Sequence, residues 1–89
     1  MNHIEIYTKN WCPYCHAAKA LLNDASLTFN EIDVTDDARR EDEMIVRSKR
    51  RTVPQIFIGG VHVGGFDDLQ ALQVDGEFGP MIVGQLVEM

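Results

Sequence analysis

The chain has 89 residues, a formal net charge of −6, 45% hydrophobic residues and 25% charged residues. This length leaves room for one domain with one core, and the composition is ordinary for a globular domain. The acidic balance argues against binding to nucleic acid or to an anionic membrane surface. No apolar run approaches about 18 residues, so we expect no membrane-spanning helix.

The number and spacing of the cysteines narrow the kinds of site that the chain can form. The two cysteines, Cys12 and Cys15, lie close together and exclude a framework of several disulfides. They also argue against a protein-only zinc site, because structural zinc takes four ligands and no second cysteine pair follows. The first strand pattern begins at residue 3, so we expect no targeting segment and a cytoplasmic location. In that compartment a neighbouring cysteine pair is more often catalytic than structural.

Hydrophobic periodicity predicts a strand–helix–strand unit in the first half of the chain. Residues 3–7 and 27–34 alternate apolar and polar side chains, which is typical of strands. Residues 13–23 form a helical pattern between them, and Pro13 suits the first helical position. Its apolar stripe consists of Ala18, Leu21, Leu22 and Ala25. This arrangement predicts parallel strands joined by a right-handed crossover.

The pattern in the second half of the chain predicts a helix followed by a β-hairpin. Any of residues 35–37 can cap a helix that runs to about residue 48. Its thin apolar stripe consists of Ala38, Met44 and Ile45. Residues 54–58 and 61–64 flank a Gly-Gly pair, which predicts two strands with a two-residue turn.

Two more helices are predicted after the hairpin. One begins at Asp67 or Asp68 and ends near residue 73, and Pro80 opens another that ends near residue 87. The order βαβ–α–ββα is that of a small thioredoxin-like α/β domain. We therefore expect a single domain over residues 1–89, with a four-stranded mixed sheet flanked by helices. Its strands are parallel in the first half and antiparallel in the second.

The sequence Cys12-Pro13-Tyr14-Cys15 stands between a strand and a helix. A thiol at a helix start meets unpaired N–H groups and the positive end of the helix dipole, both of which favour its thiolate. Cys12 is therefore the candidate nucleophile, with its sulfur open to solvent, and Cys15 is the candidate resolving thiol nearer the core. Lys9 either adds positive charge beside the thiolate or is a solvated loop lysine.

Three motifs in order resemble the glutaredoxin family. They are Cys12-Pro13-Tyr14-Cys15, Thr52-Val53-Pro54 and the glycine–aspartate segment 64–68, and the resemblance covers residues 4 to about 72. The first motif is similar to that of dithiol glutaredoxins of the short bacterial type. The resemblance implies a glutathione-binding groove formed by Lys9, Tyr14, Thr52, Val53, Pro54, Gly65, Phe66 and Asp67.

The resemblance also implies roles within that groove. Pro54 is expected to follow a cis peptide bond, so that the backbone of Val53 can pair with the cysteine of glutathione. The N–H groups of Phe66 and Asp67, with the Asp67 carboxylate, are expected to hold the γ-glutamyl end. Asp67 and Asp68 can also cap the third helix.

Two positions depart from the family pattern. Phe66 stands where such families commonly carry cysteine, which predicts a bulkier and more apolar rim. Glu41 stands where they often offer glutamine or a basic side chain, and a carboxylate there repels a ligand carboxylate. Either Arg40 replaces that contact, or the glycine end of glutathione is held more weakly.

The function implied is that of a glutathione-dependent thiol–disulfide oxidoreductase. Its partners are glutathione, used as a reducing co-substrate, and disulfide-bonded or glutathionylated proteins, with ribonucleotide reductase among the candidates. We expect a monomer without a tightly bound cofactor or metal. The alternatives are an electron donor reduced by thioredoxin reductase, and a protein that binds a [2Fe–2S] cluster with glutathione as a ligand.

Overall fold

The structure is a computed structural model that describes residues 3–74. The elements in this range are β1 (Ile4–Thr8), α1 (Pro13–Asp24), β2 (Asn30–Asp33), α2 (Ala38–Ser48), β3 (Gln55–Ile58), β4 (Val61–Gly64) and α3 (Phe66–Val74). The helix predicted from Pro80 to about residue 87 lies outside the described residues. Within residues 3–74, no helix has the length and apolar character needed to cross a bilayer.

The four strands form one mixed sheet in the order β2-β1-β3-β4. β1 pairs with β2 in parallel, as the strand–helix–strand pattern predicts, and β3 is antiparallel to both β1 and β4. The thioredoxin-like α/β fold predicted from the sequence is therefore confirmed.

The second strand is shorter than predicted, because the end of α1 holds the residues that precede it. The N–H of Ser26 donates to the Asn23 carbonyl at 2.9 Å, and the N–H of Leu27 donates to the Leu22 carbonyl at 3.0 Å. These bonds satisfy the last carbonyls of the helix. The strand ladder consequently begins only at Asn30, which pairs with Glu5.

Local signals define both ends of α2. The Asp37 side chain accepts a hydrogen bond from the Arg40 N–H at 3.1 Å, so Asp37 is the N-cap among the three candidates. Lys49 ends the helix in the left-handed conformation, with φ of 63°.

The buried face of α2 differs from the predicted apolar stripe. Met44 is fully buried, but the prediction that Ala38 belongs to the apolar stripe is wrong. Ala38 is the first residue of the helix and is exposed.

The alternation of β1 and β3 divides the core between the two faces of the sheet. Their isoleucines face α1 and α3 in a cluster formed by Ile4, Ile6, Ala18, Leu22, Ile56, Ile58 and Leu69. Their aromatic side chains face α2 in a second cluster formed by Tyr7, Ile32, Val34, Met44 and Phe57. Successive side chains of a strand point to opposite faces, so one strand supplies both clusters.

A polar network attaches α2 to the sheet. Arg47 donates to Glu5 at 3.0 Å and to the Tyr7 hydroxyl at 2.8 Å, and its guanidinium lies 4.0 Å from the ring centre of Phe57. The Tyr7 hydroxyl donates in turn to Glu43 at 2.6 Å. Burial is the main reason why the pKa of Tyr7 is raised, and the carboxylate of Glu43 adds to it. The raised pKa keeps the Tyr7 hydroxyl protonated and able to donate to Glu43.

Gly59, Gly60 and Gly64 of the β-hairpin have positive φ angles, and Gly60 and Gly64 differ in the space around them. Gly60 lies in the predicted two-residue turn, with φ of 81° and open space around it. Gly64 ends β4 with φ of 126°, and a Cβ there would overlap the Asp68 carboxylate. Of these two residues, Gly64 therefore combines an unfavourable backbone angle with a lack of space, whereas Gly60 has the backbone angle alone.

Alanine at these two positions separates the two effects. We expect Gly64→Ala to lower the free energy of unfolding by about 3 kcal/mol, from backbone strain together with displacement of Asp68. Gly60→Ala carries the backbone cost alone, about 1 kcal/mol. Urea unfolding of both variants measures the difference. Equal losses would show that the close approach to Asp68 does not constrain Gly64.

Candidate active site

Three loops meet at one edge of the sheet. In the antiparallel register of β1 with β3, Tyr7 pairs with Gln55, so the end of β1 lies beside the start of β3. Gly64 at the end of β4 pairs with Ile56, which brings the start of α3 to the same edge. The register thus gathers the cysteine motif, the Thr-Val-Pro motif and the glycine–aspartate motif, although up to 56 residues separate them in sequence.

Cys12 is the N-cap of α1. Its backbone is extended, with φ of −91° and ψ of 112°, and its sulfur accepts a hydrogen bond from the Cys15 N–H at 3.2 Å. Pro13 follows as the first helical residue, where its missing N–H costs nothing. The Cys12 N–H donates to the Lys9 carbonyl at 3.2 Å, which closes the loop before the helix. The positive end of the helix and one N–H donor therefore act on the sulfur, and both favour a thiolate.

The expectation that the Cys12 sulfur is open to solvent is wrong. Cys12 is only 4% exposed. Its sulfur lies 3.6 Å from the carbonyl oxygen of Val53, to which the thiol can donate weakly. The backbone of Val53 therefore lies against the Cys12 thiol, although the two residues are 41 positions apart in sequence. A substrate disulfide must therefore approach Cys12 along a restricted path.

Cys15 lies one helical turn deeper, as predicted, and is fully buried. Its burial raises the pKa of the thiol to about 12, and the adjacent Cys12 thiol adds to this effect. The two cysteines thus differ in environment: one sulfur caps a helix, and the other is a protonated thiol inside the core.

A groove of about 220 Å³ lies beside the cysteines. It is lined by Tyr14, Thr52, Val53, Pro54, Gly65, Phe66 and Asp67. These are the residues that the family resemblance implied for glutathione, apart from Lys9. The Val53–Pro54 peptide bond is cis, as expected. The volume is below the range of about 300–1,000 Å³ that encloses small ligands, so an extended ligand would lie along the groove partly exposed.

Aromatic side chains form one wall of the groove. The rings of Tyr14 and Phe66 are 6.1 Å apart and tilted by 33°, and Tyr14 is 62% exposed. Phe66 therefore gives the apolar rim that its departure from the family pattern predicted. Trp11 is 66% exposed and is not among the residues that line this groove. Its ring lies under the ammonium of Lys9, at 5.7 Å.

The two aspartates at the start of α3 have different surroundings. Asp68 accepts hydrogen bonds from the Gly65 N–H at 2.9 Å and from Arg50 at 3.1 Å. The first of these is the larger cause of the lowered pKa of Asp68, and it caps the helix. Asp67 instead lines the groove and is exposed. The first turn of α3 also leaves the N–H groups of Phe66 and Asp67 without helical acceptors.

Lys9 forms a contact that the sequence did not predict. Its ammonium lies 2.7 Å from the carboxylate of Glu41 in the first turn of α2. Arg40, the candidate replacement for that position, is instead paired with Glu43 at 3.0 Å. Lys9 is therefore neither a lone charge nor a fully solvated side chain.

Arg50 forms a contact near the site that the sequence did not predict. Its bond to Asp68 joins the loop before β3 to the first turn of α3. These residues are 18 positions apart, and no local pattern marks the pair. Among residues 3–74, no group of three or more His, Cys, Asp or Glu side chains is placed to hold a metal ion.

Comparison with known proteins agrees with this geometry. A family model described as Glutaredoxin matches residues 4–63. The chain is 51% identical to Glutaredoxin 3 of Escherichia coli K12 over 82 residues, which is 92% of this chain and 99% of that protein. It is 40% identical to Glutaredoxin 1 of Rickettsia felis over 87 residues, which is 96% of this chain and 85% of the relative.

Solved structures give the same result. The fold is similar to a buckwheat glutaredoxin–glutathione complex, with a TM-score of 0.86 and 28% identity over 93% of this chain and 78% of the other. It is also similar to the glutaredoxin of Brucella melitensis, with a TM-score of 0.80 and 50% identity over 90% of this chain and 87% of the other. The chain belongs to the glutaredoxin family, whose members are thiol–disulfide oxidoreductases.

Proposed function

We propose that this glutaredoxin uses Cys12 as its nucleophile, Cys15 as its resolving thiol and glutathione as its reducing co-substrate. The observation that carries the proposal is the position of the Cys12 sulfur, which caps α1 beside the groove and accepts the Cys15 N–H at 3.2 Å. A thiolate at this position attacks disulfides, and the helix start stabilises it between turnovers.

The monothiol route uses Cys12 alone. Its thiolate attacks the glutathionyl sulfur of a protein–glutathione mixed disulfide, so that the protein leaves as a thiolate and Cys12 becomes glutathionylated. The thiolate of a second glutathione then attacks the glutathione sulfur of that adduct. Cys12 leaves as a thiolate, and oxidised glutathione is released. One disulfide is broken and one is formed in each step.

The dithiol route adds Cys15. Cys12 attacks a protein disulfide and forms a mixed disulfide with one of its sulfurs, while the other leaves as a thiolate. Cys15 then loses its proton and displaces the substrate, which closes a Cys12–Cys15 disulfide that two glutathiones reduce. The raised pKa of Cys15, about 12, keeps this thiol protonated at neutral pH until the exchange requires it. Its burial therefore gives Cys15 the role of the second, slower thiol.

Three features of the groove support glutathione as the ligand. Deprotonation of Cys12 removes the S–H that points at Val53, which frees the Val53 carbonyl for the N–H of a bound peptide. The first N–H groups of α3 suit the γ-glutamyl carboxylate. The exposed carboxylate of Asp67 suits the neighbouring ammonium group. Asp68 is occupied as a helix cap, so Asp67 is the aspartate assigned to the ligand.

The proposed partners follow from this chemistry. They are glutathione and proteins that carry disulfides or glutathionylated cysteines, with ribonucleotide reductase as one candidate. The protein is proposed to act as a monomer. The single sheet, with core clusters on both of its faces, supports the proposal of one domain. A reducing cytoplasm is the proposed location, since a dithiol reductant needs a compartment that keeps it reduced.

Alkylation distinguishes the two thiols. At pH 7–8 we expect iodoacetamide to modify Cys12 of the reduced protein, whose sulfur caps the start of α1. Cys15 should remain unmodified, because it has no exposed surface and its raised pKa keeps the thiol protonated. In a Cys12→Ser variant the remaining thiol should stay unlabelled near neutrality. Its rate of labelling should rise about tenfold per pH unit while the pH stays below the pKa of about 12. Mass spectrometry of digested protein locates the adduct. Rapid labelling of Cys15 at pH 7 would contradict the assignment.

Single-cysteine variants test the two routes. We expect Cys12→Ser to reduce both activities to the uncatalysed rate, because no thiol remains at the helix start. Cys15→Ser should retain deglutathionylation within about twofold and lose the reduction of protein disulfides. A glutathione-coupled assay with one glutathionylated protein and one disulfide protein measures both. Deglutathionylation by Cys12→Ser would overturn the assignment of the nucleophile.

A further inference from the structure

The ion pair between Lys9 and Glu41 joins the loop that carries Cys12 to the first turn of α2. The ammonium and the carboxylate are 2.7 Å apart, and the side chains are 21% and 31% exposed. Both groups are thus partly removed from water, and the charge of each is balanced by the other. Because Lys9 lies close to Cys12, the ion pair can affect the binding of a ligand at the active site as well as the stability of the fold.

Lys9 borders Cys12 on a side that the groove does not occupy. Its carbonyl accepts the Cys12 N–H at 3.2 Å, and its ammonium lies over the ring of Trp11. The groove, in contrast, extends from Val53 to Asp67 and includes neither Lys9 nor Trp11. An extended tripeptide with its sulfur at Cys12 and its γ-glutamyl end at Asp67 directs its other end past Cys12 toward Lys9. That end of glutathione is a carboxylate.

We propose that Glu41 lowers the affinity for the glycine carboxylate of glutathione by occupying Lys9. The inference rests on the proposed function and adds a specificity-determining residue to it. An ammonium has three donors and can contact two carboxylates, but the two negative charges then repel each other at close range. The ligand carboxylate must displace Glu41 or bind beside it, and either outcome is less favourable than binding to an unpaired lysine.

Arg40 does not compensate for this loss. Its guanidinium is held by both carboxylate oxygens of Glu43 at 3.0 Å, on the same helix. In the pairs Lys9–Glu41 and Arg40–Glu43, each cation is therefore already bound to a carboxylate of the protein. The protein consequently recognises glutathione mainly through its cysteinyl and γ-glutamyl parts.

Two matched substrates test the inference. One is a peptide disulfide-linked to glutathione, and the other is the same peptide linked to glutathione whose glycine carboxylate is an ethyl ester. Release of the peptide thiol is followed in single turnover, and the quantity compared is the ratio of the rate constants for acid and ester. We expect a ratio near 1 for the unaltered protein. Glu41→Gln should raise it about fivefold, because Lys9 then becomes available to the carboxylate.

Two further variants make the result specific. Asp42→Asn removes the same charge from an exposed neighbour on α2, and its ratio should equal that of the unaltered protein. Lys9→Met combined with Glu41→Gln should return the ratio to about 1, since the cation is gone. Impaired folding of a variant affects both substrates equally and cancels in the ratio.

The outcomes separate the inference from the function on which it rests. A raised ratio in Glu41→Gln alone supports the inference. An unchanged ratio, or an equal rise in Asp42→Asn, overturns it while peptide release still confirms deglutathionylation. Failure of the unaltered protein to release either peptide overturns the proposed function, and the inference with it.

Discussion

The sulfur of Cys12 takes the place that a serine or aspartate side chain usually fills at a helix start, and it accepts the Cys15 N–H at 3.2 Å. The same hydrogen bond stabilises α1 and prepares the sulfur to carry negative charge. The proposed nucleophile therefore depends on the helix, and the helix depends on its packing through Ala18 and Leu22 against the sheet. Stability and reactivity therefore share one interaction, and a change that frays the first turn of α1 weakens both.

The sheet supplies the rest of the site through its register. Pairing of Tyr7 with Gln55 sets the Thr-Val-Pro loop beside the end of β1, and the hairpin returns the start of α3 to the same edge. Val53 then covers the thiol, and Asp68 caps α3 so that Asp67 faces the groove. Each loop contributes a different chemical group, namely a sulfur, a backbone carbonyl, and helix N–H groups with a carboxylate. None of the three loops forms the site alone, which makes the parallel–antiparallel sheet a requirement for its chemistry.

Local patterns were sufficient to predict most of the fold. Alternation identified β1, the Gly-Gly pair identified the hairpin, and the cysteine motif marked the start of α1. What the sequence could not predict depends on contacts between distant residues. The burial of Cys12 comes from Val53, 41 positions away, and the partner of Lys9 lies on another helix. The residues that line the groove were predicted from the family resemblance, because no hydrophobic periodicity relates Tyr14 to Phe66. The early boundary of β2 was wrong because hydrogen bonds at the end of α1 hold Ser26 and Leu27.

The structure of a glutathione adduct would show whether Cys12 is the nucleophile and where the tripeptide lies. A Cys15→Ser variant is treated with oxidised glutathione, whose disulfide Cys12 attacks with release of one glutathione thiolate, and the product is crystallised. We expect a mixed disulfide at Cys12, with the ligand backbone paired to Val53 and its γ-glutamyl end at the first turn of α3. An unmodified Cys12, or an adduct whose tripeptide lies outside the groove lined by Tyr14 and Asp67, would show that the assignment of the nucleophile and its ligand groove is wrong.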